Sequence, residues 1–228
     1  MRRAGPPRPA PPRPDARPTL RHERALEAAE CSPVAGIDEA GRGAWAGPVA
    51  AGAVILPLTS ATLRRLRGLT DSKKLSASAR EHFADLIRIV AVTFAVGWAE
   101  AGEIDAIGIV PATRLAMRRA IDGLGVAPKG LVIDAVTLPN LPARQDVFFF
   151  ADSISLSVAA ASVLAKTARD ARMTAMDGNL PGYGFAAHKG YGTAAHAAAL
   201  AAMGPCSEHR WTFRPVAALV GAECRRGL

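Results

Sequence analysis

The chain has 228 residues, half of them apolar, with 28 Lys and Arg against 20 Asp and Glu and a formal net charge of +8. That is enough apolar material for one substantial core, which excludes an intrinsically disordered protein, and no apolar run approaches the roughly 18 to 20 residues of a membrane span. The excess of positive charge favours a polyanionic partner, because basic surface binds nucleic acid by counterion release.

Residues 1–18 are Pro, Arg and Ala with almost no large apolar side chains. Such a segment cannot offset the entropy of folding by burial, so residues 1–30 are expected to be a disordered basic tail, with a short helix at 19–31 leading into the domain. The N-terminus lacks the apolar stretch of a signal peptide, and the expected location is cytoplasmic. Strands are expected at 34–38, 47–56 and 91–99. A helix separates the last two, with Ser78 and Glu81 at capping-box spacing and Phe83, Leu86, Ile87 and Val90 on one face. Residues 103–122 read as a helix or helix pair interrupted at Pro111. Two further strands, 130–134 and 146–152, each end in a carboxylate. From 154 to 176 the alanine-rich sequence is helical, with Ser155, Ser162, Lys166 and Arg169 forming one polar stripe.

Closely spaced early strands imply hairpins, and later strands alternating with helices imply parallel pairing. The expected fold is α/β, a mixed sheet flanked by helices, with the domain spanning 31–218 and a C-terminal tail at 219–228. Cys31, Cys206 and Cys224 are odd in number, far apart and without C-x-x-C spacing, which argues against a disulfide framework or a zinc site.

The most informative stretch is Gly36-Ile37-Asp38-Glu39-Ala40-Gly41-Arg42-Gly43. Adjacent side chains of a strand point to opposite faces, so Asp38 and Glu39 converge on one ligand only if the strand ends there and the backbone turns. Gly41 and Gly43 permit the turn and let amide N–H groups approach a sugar or phosphate. Asp134 and Asp152 share the position of Asp38 and Glu39, at or just after the end of an apolar strand, where ligand sites of open α/β sheets gather. Taken singly, Asp134 reads as a turn residue and Asp152 as a helix cap. Together, four close carboxylates need cations, and hard divalent ions such as Mg²⁺ or Mn²⁺ prefer oxygen ligands.

With these motifs stand Asp71-Ser72-Lys73-Lys74-Leu75, Leu131-Val132-Ile133-Asp134, the run Ser162-Val163-Leu164-Ala165-Lys166-Thr167-Ala168-Arg169-Asp170, and Tyr183-Gly184-Phe185 followed by His188-Lys189-Gly190-Tyr191. In order and spacing, over most of 34–215, the chain resembles the type 2 ribonucleases H, the ribonuclease HII family. The resemblance implies a ribonuclease H-like fold with a mixed five-stranded sheet and a helical C-terminal region. It also implies a monomer that cuts the RNA strand of RNA–DNA hybrids and nicks ribonucleotide-containing duplex DNA, in replication and repair.

By the same resemblance, Asp38, Glu39, Asp134 and Asp152 match four metal-binding catalytic carboxylates holding two Mg²⁺ or Mn²⁺ ions, and hydrolysis leaves a 3′-hydroxyl and a 5′-phosphate. Gly41, Arg42 and Gly43 match the motif whose backbone recognises the ribonucleotide 2′-hydroxyl, the group that separates RNA from DNA. Tyr183 matches the tyrosine that stacks on the following sugar. Lys73, Lys74, Lys166 and Lys189 fall within matched motifs as candidate phosphate contacts, and His188 is assigned a loop hydrogen bond.

The chain departs from the pattern twice. Where the family commonly follows the third carboxylate with Gly-Asn, this chain has Ala135-Val136, and where it precedes the fourth with Lys-Gly, it has Phe150-Ala151. A required positive φ at either turn would strain the site. The rival readings are a type 3 ribonuclease H, a noncatalytic nucleic-acid-binding protein with a degenerate metal site, and a small-molecule phosphatase.

Overall fold

Three mid-strand glycines decide how closely helices lie on the sheet. In the computed structural model, which describes residues 17–219, a Cβ on Gly36 would sit 2.2 Å from the Ser157 carbonyl carbon, one on Gly52 2.2 Å from the Ala161 oxygen, and one on Gly97 2.2 Å from the Ala116 oxygen. No side chain fits between backbone and backbone at these points. The sheet consists of β1 (Val34–Ala40), β2 (Val49–Ile55), β3 (Thr93–Ala99), β4 (Gly130–Asp134) and β5 (Arg144–Phe148) in the order β3-β2-β1-β4-β5. The β1–β2 and β2–β3 pairs are antiparallel, while β1–β4 and β4–β5 are parallel, as the strand spacing implies.

The helices include α1 (Arg21–Ala28), α2 (Ser60–Arg65), α3 (Ala77–Val90), α4 (Ala101–Ile107), α5 (Ile109–Asp122), α6 (Leu156–Asn179), α7 (Phe185–His188) and α8 (Ala194–Met203), and residues 214–219 are helical as well. Helix α6 crosses one face of the sheet over β1 and β2, and α5 covers the other over β2 and β3. On the α5 side, Ile37, Val49, Met117, Leu131 and Ile133 make the core. On the α6 side, Val54, Leu69, Ile87 and Leu164 do so, bringing α3 onto α6. Burying each such side chain contributes about 2 kcal/mol. No helix among the described residues is long and apolar enough to cross a membrane.

Several local expectations are corrected. The short helix expected at 19–31 is α1, but residues 17–30 belong to the fold and are not a tail. Leu20 and Leu26 are buried, and the buried Glu23 carboxylate accepts 2.6 Å hydrogen bonds from the hydroxyls of Ser155 and Ser157 and one from the Ser157 amide at 3.0 Å. An acid at the first turn of α6 meets unpaired amides and the positive end of the helix dipole, which holds α1 in place. Residues 1–16, and the C-terminal tail from 220 on, lie outside the described residues.

Helix α3 is capped by Ser76, whose hydroxyl accepts from the Ala79 amide at 3.2 Å, so Ser78 and Glu81 form no capping box. The α4–α5 break falls at Gly108, with φ +83°, and Pro111 sits in the first turn of α5, where a missing N–H removes no intrahelical bond. Strand β5 starts at Arg144 and stops at Phe148, leaving Asp152 in a 3₁₀ turn, Ala151–Ser153. The residues expected as one polar stripe on α6 lie mostly inside the fold. Ser155, Ser162 and Arg169 are buried and hydrogen-bonded, and among the four only Lys166 is partly exposed.

Candidate active site

Strand β1 does not end at its two carboxylates. It stays paired with β2 as far as Ala40↔Ala50, whereas its pairing with β4 stops at Ile37↔Ile133. Beyond Ile37 the β4-side edge of β1 is therefore uncovered, and carboxylates leaving opposite faces can both reach it. Oxygens of Asp38, Glu39 and Asp134 lie within 4.8 Å of one another at that edge. Asp152 is outside this tight group, although close enough for its charge to act on Asp38.

The second layer fixes the first. Asp38 Oδ1 accepts from the Glu39 amide at 2.7 Å, and the Ser162 hydroxyl of α6, 2.9 Å oxygen to oxygen from buried Ser72, draws the Asp38 carboxyl down. The Asp134 carboxylate accepts from the Ala151 amide at 2.9 Å, and the Ala135 amide donates to the Phe148 carbonyl at 2.9 Å. Both positions where the chain departs from the family's glycine-containing pattern bear on this turn. Ala135, where the family has glycine, has φ +54°, so that left-handed turn is kept without glycine at a cost of about 1–2 kcal/mol; Phe150, where the family has lysine, is also left-handed at φ +59°, and Ala151, in the second glycine's place, opens the 3₁₀ turn.

Burial pushes the Asp38 carboxyl well above the usual range, and the neighbouring Glu39, Asp134 and Asp152 add to it. Burial likewise raises Glu39, with Asp134 adding and Arg42 opposing, and raises Asp134 against the Ala151 and Phe150 amides and Lys73. Asp152 is pushed up to about 7 by burial, then by Asp71 and Asp134. Lys73 feels burial pulling it down, but Asp38, Asp71, Asp152 and Glu39 outweigh this and hold it above its ordinary value. The cluster carries more negative charge than its surroundings neutralise. Glu39 Oε2 is buried with no hydrogen-bond partner, and its Oε1 has only Arg42, at 3.4 Å. Crowded oxygen donors with one orphaned lone pair fit a hard divalent cation.

A cleft of about 470 Å³ opens beside the carboxylates, lined by Glu39, Gly41, Arg42, Gly43, Ser72, Lys73, Arg80, Lys166 and Tyr191. Gly41 has φ +87°, and a Cβ there would lie 1.9 Å from Arg169 Nε, so the residue is dictated twice over. Gly43 faces open space. Lys166 Nζ bonds Asp170 at 2.7 Å and lies 5.5 Å above the Tyr191 ring.

Other candidates fall elsewhere. Tyr183 is buried, donates its hydroxyl to the Gly204 carbonyl at 2.9 Å and stacks on Phe185, so it is a core aromatic; Tyr191 is the tyrosine on the cleft wall. Both sit in the same glycine-rich motif, and only packing tells them apart. Lys74 lines a separate cavity with Arg17 and Arg67. Lys189 turns to the Ala186 carbonyl and Thr174 hydroxyl, in a neighbouring groove that shares Arg80 with the cleft. His188 bonds the Tyr183 carbonyl at 2.7 Å, a loop contact as expected. Asp71, Ser72, Arg80, Tyr191 and Arg210 also surround the site, although none of them is among the residues that the sequence singles out. The first two and Tyr191 stand inside matched motifs, whereas Arg80 and Arg210 carry no local signal.

The sequence model for Ribonuclease HII matches residues 35–216. A Ribonuclease HII of Syntrophotalea carbinolica is 52% identical over 183 residues, covering 80% of this chain and 86% of that protein. Among solved structures, ribonuclease H2 from Pyrococcus horikoshii has a TM-score of 0.69 at 23% identity, covering 83% of this chain and 97% of that one. Ribonuclease HII of Archaeoglobus fulgidus, solved in a complex with PCNA, has a TM-score of 0.65 at 25% identity, with 82% and 96% covered. The match in sequence over most of both chains, together with the shared fold and the carboxylate edge, identifies the chain as a member of the ribonuclease HII family.

Proposed function

We propose that this chain hydrolyses the RNA strand of RNA–DNA hybrids and nicks duplex DNA on the 5′ side of an embedded ribonucleotide, leaving a 3′-hydroxyl and a 5′-phosphate. The observation that carries this reading is the convergence of Asp38, Glu39 and Asp134 at one uncovered strand edge beside the open Gly41–Gly43 loop. Asp38, Glu39, Asp134 and Asp152 would hold two Mg²⁺ or Mn²⁺ ions, which when bound activate a water and stabilise the leaving oxygen.

The chain's own groups supply orientation. The Glu39 amide holds Asp38 and the Ala151 amide holds Asp134, and Arg42, Lys73 and Lys166 line the cleft as cations for the phosphates on either side of the cut. The Tyr191 ring offers an apolar face for a sugar, and the amides of the glycine loop can read a hydroxyl. Retention of left-handed geometry at Ala135 favours this reading over a degenerate, noncatalytic site. The protein is proposed to act as a monomer in the cytoplasm.

The test is an end-labelled DNA duplex with one ribonucleotide, beside an all-DNA control, incubated with Mg²⁺, Mn²⁺ or chelator. A metal-dependent nick immediately 5′ of the ribonucleotide, absent from the control, is expected. Binding with no nick under either ion would overturn the catalytic reading.

A further inference from the structure

Two arginines are fully buried, Arg169 and Arg210, and neither makes an ion pair among the described residues. Both spend their donors on backbone carbonyls instead. Arg210 Nη2 donates to Gly41 at 2.7 Å and Gly47 at 2.8 Å, its Nη1 to Arg42 at 3.0 Å, and its Nε to Gly47 at 3.0 Å. Arg169 Nε donates to Pro48 at 2.8 Å, its Nη1 to Lys189 at 2.9 Å, and its Nη2 to Ala46 at 3.1 Å. Arg169 also packs under Gly41 and lies 5.4 Å from the Tyr191 ring.

In a trans peptide the C=O of one residue and the N–H of the next point in opposite directions. With the Gly41 and Arg42 carbonyls drawn inward onto Arg210, the amides of Arg42 and Gly43 must face outward. Neither amide donates to any group among the described hydrogen bonds, and Gly43 borders open space in the cleft. Two guanidinium groups without an ion-pair partner behind the loop further favour an electron-rich oxygen in front of it.

We propose that Arg169 and Arg210 are positioning residues for substrate choice: they hold the 41–43 loop with the Arg42 and Gly43 amides aimed into the cleft as donors to the ribose 2′-hydroxyl. The inference rests on the nicking activity proposed above and assigns its ribonucleotide preference to residues that never touch the substrate. Arginine is needed at both places, since lysine cannot bridge several carbonyls in one plane.

The experiment compares the parent protein, Arg210→Lys and Arg169→Lys in metal-free buffer, measuring affinity for a duplex with one ribonucleotide and for the same duplex in all-DNA form. The parent is expected to prefer the ribonucleotide duplex, and each variant to lose that preference by roughly tenfold or more while binding the all-DNA duplex within about twofold of the parent. Mn²⁺ binding to the carboxylates, followed by calorimetry, is expected to remain. Unchanged preference, or equal losses on both duplexes, would overturn the proposal. Should the variants not fold cooperatively, amide NMR of the parent decides: Arg42 and Gly43 signals should shift with the ribonucleotide duplex and not with all-DNA, and equal shifts would overturn it. Because these readouts need no cleavage, a failure to nick would count against the proposed activity and leave the loop inference separately judged.

Discussion

The carboxylate edge and the arginine clamp are both buried groups of like charge with no full set of counter-ions, yet they are finished differently. Arg169 and Arg210 make seven hydrogen bonds to carbonyls, so the protein itself completes their coordination. Asp38, Glu39 and Asp134 are crowded and partly unpartnered, with Glu39 Oε2 left bare. Buried charge that is internally satisfied is scaffold. Buried charge left short of partners is a place where a ligand belongs.

The largest expected effect breaks the carboxylate side. Asp134→Asn should lower nicking of the ribonucleotide duplex by roughly a thousandfold or more while the protein stays folded, because several kcal/mol of charge stabilisation at the reacting phosphate depend on that oxygen. Full activity, measured by gel at saturating Mg²⁺, would remove Asp134 from the site.

On the arginine side the loss should appear as stability. Arg210→Met leaves the Gly41, Arg42 and Gly47 carbonyls without their buried donor and should cost about 3 kcal/mol in urea unfolding. Asp38→Asn removes a buried charge among like charges and should stabilise the metal-free protein by about 1 kcal/mol. Opposite signs are what separate scaffold from site; equal destabilisation would erase the distinction.

The pH dependence sharpens it further. Carboxylates whose folded pKa is raised hold protons that the unfolded chain releases, so their contribution is fully present below the unfolded range, near about pH 4. It is lost as pH rises through the folded values, which for Asp152 is about 7. The metal-free protein should therefore lose thermal stability between about pH 5 and pH 8, and Mn²⁺ should restore more of it at pH 8 than at pH 5. A flat melting temperature in chelator would mean the cluster is not strained by its own charge.

The smallest effect concerns the turn behind Asp134. Ala135→Gly relieves a left-handed alanine and should stabilise by about 1 kcal/mol in urea unfolding, with activity retained. Destabilisation would mean that the alanine methyl packs usefully there.

Much of the architecture was legible in the chain because it rests on local pattern: the five apolar segments, the hairpin spacing of the first three, and the alternation that makes the rest parallel. Asp38, Glu39 and Asp134 were legible as candidates only in combination, through the motifs they stand in, since taken singly such acids read as turn residues. Asp152 lies beyond its strand in a 3₁₀ turn, where periodicity gives no guide. Tyr183 and Tyr191 share one motif and exchange roles only through packing against Phe185 and the cleft. Glu23 turns an apparent tail into part of the fold through serines 132 and 134 residues away, and Arg210 reaches the glycine loop across 169. Sequence alone determined which residues could carry the chemistry, because residue type and short spacing follow local rules. Tertiary structure decided which of them meet, and which way the loop amides face, because those contacts join positions far apart in the chain.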